Sequence, residues 1–174
     1  MGAPVSGNLA KVHILVVDDS VHIRRLIATM LHSMGGAQIT EAKDGATAMQ
    51  HLSKGTTDIA LIDWMLDDGS GRNGMDMVRE IRASNQEQIA FMPIIMITGH
   101  TERENIETAR DAGVTEFLAK PFTAKTLYSR IATLVDNPRA FVKTRSFFGP
   151  DRRRREEEPE TDRRMFSPRR EQKS

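Results

Sequence analysis

Short apolar runs alternate along the chain with stretches in which apolar residues recur at helical spacing. The run at 59–63, Ile-Ala-Leu-Ile-Asp, contains no polar residue until it ends on a carboxylate. The run at 13–17 is similar, and the acids Asp18 and Asp19 follow it directly. Runs of this kind are typical of strands that helices cover on both faces, as in parallel sheets. We therefore predict a buried strand that ends at Asp63.

A helical pattern follows each predicted strand. Ser20 is a suitable N-cap, and apolar residues then recur at helical spacing from 23 to 34. A weaker strand signal at 38–42 and the runs at 93–98 and 116–119 each precede a further helical stretch. This repeated alternation of strand and helix specifies right-handed crossovers and a parallel sheet. We predict an α/β domain with three layers, α/β/α.

Polar side chains stand where four of the predicted strands end. Asp18 and Asp19 follow the first strand, Asp63 ends the third, Thr98 ends the fourth and Lys120 follows the fifth. Because parallel strands share a direction, these side chains face one edge of the sheet, where open α/β sheets bind ligands. Crowded carboxylates repel one another unless a cation lies among them, and oxygen donors without His or Cys favour Mg²⁺. A dication, a lysine and a hydroxyl around a nucleophilic carboxylate suit phosphoryl transfer.

These motifs resemble the receiver domain of two-component response regulators. The matching motifs are Asp18-Asp19, Asp63, Thr98-Gly99 and Lys120-Pro121-Phe122, in that order. The resemblance covers residues 11–136 and implies a flavodoxin-like (βα)5 domain whose parallel strands lie in the order 2-1-3-4-5. It further implies a single-domain, chemotaxis-regulator-like protein in which Asp63 accepts a phosphoryl group from a histidine kinase.

The resemblance also implies how the polar residues share the chemistry. Asp19 and Asp63, together with the backbone carbonyl of Met65, would bind Mg²⁺ directly. Asp18 would bind the same ion through a water molecule. Lys120 would contact the phosphoryl oxygens once Asp63 carries them.

A conformational switch is the expected response to phosphorylation. The resemblance implies that Thr98 hydrogen-bonds to the phosphoryl group and that Phe117 turns inward into the space that Thr98 vacates. This shift would repack the surface formed by the helix after the fourth strand, the fifth strand and the last helix. A downstream protein partner would bind that surface, and the resemblance also allows dimerisation on phosphorylation.

The same residues leave two other functions open. A phosphorelay intermediate would pass its phosphoryl group to a histidine phosphotransfer protein from the same site. Asp-based Mg²⁺ phosphatases also form an aspartyl phosphate, but they place a second acid two residues after the nucleophile, where this chain has Met65. We therefore expect a signalling protein that gains and loses only its own phosphoryl group, and not an enzyme.

Charge divides the chain into unlike parts. Residues 1–10 are predicted to be a flexible N-terminus, 11–136 the receiver domain and 137–174 a charged, largely disordered tail. From Pro138 onward the chain carries 12 Lys or Arg and 7 Asp or Glu, a local charge of +5, against −4 for the rest. We expect Phe147 and Phe148 in the tail to dock on the receiver or on a partner, unless the tail is only a solubilising tether.

Composition excludes several classes of function. The chain has no cysteine, so disulfides, thiolate metal sites and cysteine nucleophiles are excluded. It contains no apolar stretch long enough to span a bilayer and begins without a secretory signal pattern, so we expect a cytoplasmic protein that does not insert in membranes. Glutamates follow the arginines at 152–155, which argues against specific nucleic-acid binding by the tail.

Overall fold

The computed structural model describes the chain in the segments 9–67, 69–99, 103–138, 140–143 and 148–151. Expectations for the N-terminal residues 1–8, for Phe147 and for the arginine-rich residues from 152 onward lie outside these segments. Nearly all of the predicted receiver domain lies within them.

Five parallel strands form the main sheet, in the order β2-β1-β3-β4-β5. The strands are β1 (His13–Val17), β2 (Gln38–Ala42), β3 (Ile59–Asp63), β4 (Ile94–Thr98) and β5 (Glu116–Ala119). The strand order reverses direction between β1 and β3, and ligands of open α/β sheets bind outside the carboxyl ends of the strands at such a point. The predicted fold class and strand order are confirmed.

Helices cover both faces of this sheet. They are α1 (Val21–Ser33), α2 (Gly45–Leu52), α3 (Gly74–Arg82), α4 (Glu87–Ala90), α5 (Arg103–Asp111) and α6 (Ala124–Asp136). Apolar residues of α1 and α6 pack on one face of the sheet, and those of α2, α3 and α5 pack on the other. The three layers are those predicted, and the four-residue helix α4 is an addition that the sequence pattern does not indicate.

The central strand β3 shows why an uninterrupted apolar run is needed here. All of its residues are buried. Ala60 and Ile62 pack in the core that includes α2 and α3, whereas Ile59 and Leu61 pack in the core that includes α1 and α6. Successive side chains of a strand point to opposite faces, and both faces of this strand are covered. The first carboxylate therefore comes only at Asp63, where the strand ends.

Side-chain caps set where the helices at the carboxyl edge of the sheet begin. The N-caps are Ser20 for α1, Asp44 for α2, Asn73 for α3 and Thr123 for α6. Each accepts a hydrogen bond from an amide of the first turn that has no partner inside the helix. Ser20 serves as the cap that the sequence predicts.

A hairpin follows the last helix. Its antiparallel strands are β6 (Phe141–Lys143) and β7 (Phe148–Pro150). The rings of Phe141 and Phe148 lie 5.3 and 5.1 Å from that of Phe91, between centroids, in edge-to-face geometry. The sequence predicts a largely disordered tail with Phe148 docked on the receiver or on a partner. Within residues 141–143 and 148–151 the structure shows an ordered hairpin, in which Phe148 packs on Phe91 of the receiver. The pairing depends on an aromatic residue far back in the chain, so no local pattern announces it.

The Arg82 side chain contacts both the hairpin and the segments that precede β4 and β5. Its guanidinium donates to the carbonyl oxygens of Gly113 (2.9 and 3.1 Å), Ala90 and Met92 (both 2.8 Å). Its central carbon lies 4.9 Å from the centre of the Phe141 ring, a cation–π distance. Burial lowers the pKa of Arg82 to about 9, so the side chain still carries its charge at neutral pH.

Replacing Arg82 with methionine is expected to lower the free energy of unfolding by about 2–4 kcal/mol, because three buried carbonyls lose their charged donor. The matched control is Arg79→Met in the same helix, where the exposed side chain pairs with Asp76 and the expected loss is about 0.5 kcal/mol. Urea unfolding of both variants measures the difference. Equal losses would show that the Arg82 contacts do not stabilise the fold.

Candidate functional site

Three acids meet at the carboxyl edge of the sheet. Ligand oxygens of Asp18, Asp19 and Asp63 all lie within 4.8 Å of one another. Asp18 and Asp63 are only 1% and 4% exposed, whereas Asp19 is exposed. The structure thus brings together acids that are more than forty residues apart in the chain, as the shared strand direction predicts.

Lys120 completes the cluster with a positive charge. Its Nζ lies 3.0 Å from Oδ1 of Asp63, to which it donates a hydrogen bond, and 3.7 Å from Oδ2 of Asp18. The backbone amide of Lys120 donates to the carbonyl of Thr98 (2.8 Å), which extends the pairing of β4 and β5 by one step. The β5 end is therefore anchored where the ammonium can reach both buried acids.

The carboxylate of Asp18 is the least satisfied group in the cluster. Oδ1 accepts a hydrogen bond from the backbone N–H of Ser20 (2.8 Å), but buried Oδ2 has no hydrogen-bond partner among the described residues. Burial raises the pKa of Asp18 above its ordinary value, the Ser20 amide opposes this shift, and the charge of Asp63 adds to it. A buried carboxylate oxygen that makes no hydrogen bond and lies beside two other acids fits a bound divalent cation.

Thr98 and Phe117 lie on neighbouring strands near this edge. Thr98 is buried at the end of β4 and pairs with Ala119, whereas Phe117 pairs with Met96, two positions further from the edge. Phe117 is partly buried and packs against the core on the α2 and α3 side. Thr98 therefore lies at the carboxyl end of its strand and Phe117 lies on the neighbouring strand, and their roles as switch residues remain a prediction.

The loop after β3 is tied to the site by its backbone. The amide of Trp64 donates to the carbonyl of Ile97 (2.9 Å), and its carbonyl accepts from the amide of Gly74 (3.0 Å). Met65 follows with a side chain that is 60% exposed beside the acids. Its predicted role as a carbonyl ligand for Mg²⁺ remains a prediction.

Gly74 is a site residue that the sequence patterns do not single out. A Cβ placed on Gly74 would lie 2.0 Å from the carbonyl oxygen of Asp63, far inside contact distance. Only glycine lets the start of α3 approach the end of β3 this closely. A glycine directly after the helix cap Asn73 is the signal that points to such an approach.

Arg24 is a second residue that the patterns pass over. Its Nη1 donates to the carbonyl oxygens of Asp18 (2.7 Å) and Asp19 (3.2 Å), directly behind the acid cluster. An arginine in the first turns of an amphipathic helix ordinarily indicates a solvent-facing side chain. Its inward contacts become visible only in the folded chain.

Among the described residues, no helix combines the length and apolar character needed to cross a bilayer.

Two chemotaxis proteins are similar to this chain in sequence. Chemotaxis protein CheY-3 of Vibrio cholerae serotype O1 is 39% identical over 118 residues, which cover 68% of this chain and 87% of that protein. Chemotaxis protein CheY of Pseudomonas aeruginosa is 36% identical over 123 residues, covering 71% of this chain and 95% of that protein.

Solved structures show the same architecture. Chemotaxis protein CheY4 of Vibrio cholerae matches with a TM-score of 0.63 and 30% identity, over 70% of this chain and 97% of that one. A Francisella response regulator 1452 receiver domain matches with a TM-score of 0.61 and 27% identity, over 71% of this chain and 96% of that one.

The response regulator receiver domain family matches residues 14–132. This range contains every residue of the acid cluster together with Thr98, Phe117 and Lys120. The resemblance stated from the motifs is therefore confirmed. The chain belongs to the response regulator receiver domain family.

Proposed function

We propose that this chain acts as a response regulator that accepts a phosphoryl group on Asp63 from a histidine kinase. The observation that carries this assignment is the placement of Asp63. Its carboxylate ends the buried central strand, receives a hydrogen bond from Lys120 at 3.0 Å and shares its surroundings with two further acids. A nucleophilic oxygen of Asp63 thus lies beside the charged groups that phosphoryl transfer needs.

The transfer step follows from this geometry. A carboxylate oxygen of Asp63 attacks the phosphorus of a phosphohistidine, so that a P–O bond forms while the P–N bond breaks. The departing imidazole takes up a proton, and Asp63 becomes an acyl phosphate. Lys120 already contacts the Asp63 carboxylate, so its ammonium is in reach of the new phosphoryl oxygens and offsets their charge.

Asp18, Asp19 and Asp63 would hold a Mg²⁺ ion, with the carbonyl of Met65 as a further ligand. Asp18 Oδ2 makes no hydrogen bond among the described residues, and the cluster consists of carboxylates alone, a ligand set that suits this hard cation. When bound, Mg²⁺ supplies positive charge for the phosphoryl oxygens during transfer. The protein's own contribution is to keep the carboxylates converged and partly shielded from water.

Output is proposed to pass through the surface of α5, β5 and α6. Thr98 and Phe117 lie on the two strands that lead to this surface, and Phe117, Pro121 and Arg130 line a shallow depression on it. A downstream protein would bind there in the cytoplasm, and dimerisation of phosphorylated copies is a further expectation. Met65 offers no acid to a leaving group, which supports a signalling role without turnover of other substrates.

Asp63→Asn is expected to abolish phosphorylation, because an amide cannot attack phosphorus. Incubation with Mg²⁺ and a small acyl-phosphate donor, followed by intact mass, should show one added phosphoryl group on the wild type and none on the variant. Asp67→Asn is the matched control, since Asp67 is exposed in the next loop and outside the acid cluster. Equal labelling of wild type and Asp63→Asn would overturn the assignment of Asp63.

Asp18→Asn is expected to stabilise the metal-free protein at neutral pH, because it removes a buried charge whose pKa is raised in the folded state. An ionised group with a raised pKa destabilises the fold above its ordinary pKa. The advantage of the variant should therefore shrink as the pH falls and Asp18 becomes protonated.

Thermal unfolding at several pH values, with chelator and with Mg²⁺, measures both effects of Asp18→Asn. Mg²⁺ should raise the Tm of the wild type by binding the folded state and should raise that of the variant far less. A Tm of the wild type that does not respond to Mg²⁺ would contradict the proposed metal site.

A further inference from the structure

Arg24 connects the acid cluster to the neighbouring strand. Besides its bonds to the carbonyls of Asp18 and Asp19, it donates from Nε to Oε2 of Glu41 on β2, at 3.1 Å. The Arg24 side chain is only 13% exposed, although it lies in the first turns of α1. One guanidinium therefore reaches two consecutive carbonyls and a carboxylate through its rigid fork of donors.

The two carbonyls need a donor because of where they fall in the chain. Pairing of β1 with β2 runs as far as Val17 and Ala42, and the amide of Asp18 makes the last bond to β2. The helical ladder of α1 starts with the carbonyl of Ser20, which accepts from the amide of Arg24. Between strand and helix, the carbonyls of Asp18 and Asp19 receive hydrogen bonds from the Arg24 side chain instead.

Asp18 is consequently held at three atoms. Its amide donates to the carbonyl of Ala42, its carbonyl accepts from Arg24, and its Oδ1 accepts from the amide of Ser20. These bonds leave Oδ2 without a hydrogen bond among the described residues, and the ammonium of Lys120 lies 3.7 Å from it. Without Arg24, the carbonyls of Asp18 and Asp19 would lose their side-chain donor, and the backbone between the strand and the helix would be held less firmly.

We propose that Arg24 is a positioning residue for the phosphoryl-transfer site, and that its bonds to the Asp18 and Asp19 carbonyls keep the metal-binding carboxylates converged. This inference rests on the proposed function. Arg24 does not contact the reacting atoms, and it acts through the backbone of the two acids. Glu41 anchors the guanidinium from the far side and balances its charge.

Charge and positioning make opposite predictions for Arg24→Met. Removing a cation beside three acids would, by charge alone, strengthen the binding of a divalent cation. Releasing the backbone of Asp18 and Asp19 would weaken it, as loss of an outer-shell partner does for other metal sites. The direction of the change in Mg²⁺ affinity therefore decides between the two roles.

The experiment is a calorimetric titration of the full chain with MgCl₂. Arg24→Met is expected to bind Mg²⁺ about tenfold more weakly than the wild type, the low end of effects seen for outer-shell partners. Arg25→Met is the matched control, because it removes the same charge from an exposed neighbouring position. It is expected to leave the affinity unchanged or to strengthen it slightly. Affinity that is unchanged or tighter in Arg24→Met would overturn the proposal.

Two further measurements separate positioning from a loss of folding. Arg24→Lys keeps the charge with a single donor group and should bind Mg²⁺ with intermediate affinity, so it carries the test if Arg24→Met does not fold. At saturating Mg²⁺, phosphorylation of Asp63 in either folded variant should recover toward the wild-type rate, because the nucleophile and Lys120 are intact. A rate that stays low would contradict a role confined to positioning the metal ligands.

The phosphorylation and Mg²⁺-binding measurements together distinguish failure of the Arg24 proposal from failure of the proposed function. If the wild type gains no phosphoryl group, the proposed function fails whatever Arg24 does. If the wild type is labelled and Arg24→Met binds Mg²⁺ as the wild type does, only the role of Arg24 fails.

Discussion

Repulsion among Asp18, Asp19 and Asp63 is the constraint on which the carboxyl edge of this sheet depends. Their oxygens lie within 4.8 Å of one another, and two of the three side chains are buried where water screens poorly. Such a cluster persists only in a rigid frame. The β-ladder behind the acids, the ammonium of Lys120 beside them and the guanidinium of Arg24 beneath the backbone supply that frame.

The strand polarity that gathers the acids also places compensating partial charges next to them. Helices α1 and α3 begin at this edge, directly after the caps Ser20 and Asn73. The amides of a first turn carry partial positive charge, which stabilises nearby anions. The amide of the cap residue Ser20, which precedes the first turn of α1, donates directly to Asp18. In a parallel sheet, the acids at the strand ends and the N-termini of the following helices therefore lie at the same edge.

Sequence patterns predict the alternating strands and helices of this protein. They miss the contacts between residues that are far apart in the chain. The apolar runs of β1 and β3 announce strands covered on both faces, so the acids after them could be placed at one edge. Arg24 and Arg82 belong to the polar faces of their helices, and nothing local shows that their guanidinium groups turn toward backbone carbonyls. The hairpin is missed for the same reason, since Phe141 is an isolated aromatic residue until Phe91 comes beside it.

The hairpin packs on the receiver domain, and we expect the two to unfold as one cooperative unit. Phe91, Phe141 and Phe148 share a single apolar surface, and the charged head of Arg82 lies under one of these rings. Removing the residues after α6 would expose Phe91 to water and would take away the Phe141 ring that lies against the Arg82 guanidinium. The last strand also begins its contacts near Gly113, at the amino ends of the strands. The hairpin thus covers the pole of the molecule opposite Asp63 and leaves the acid cluster open.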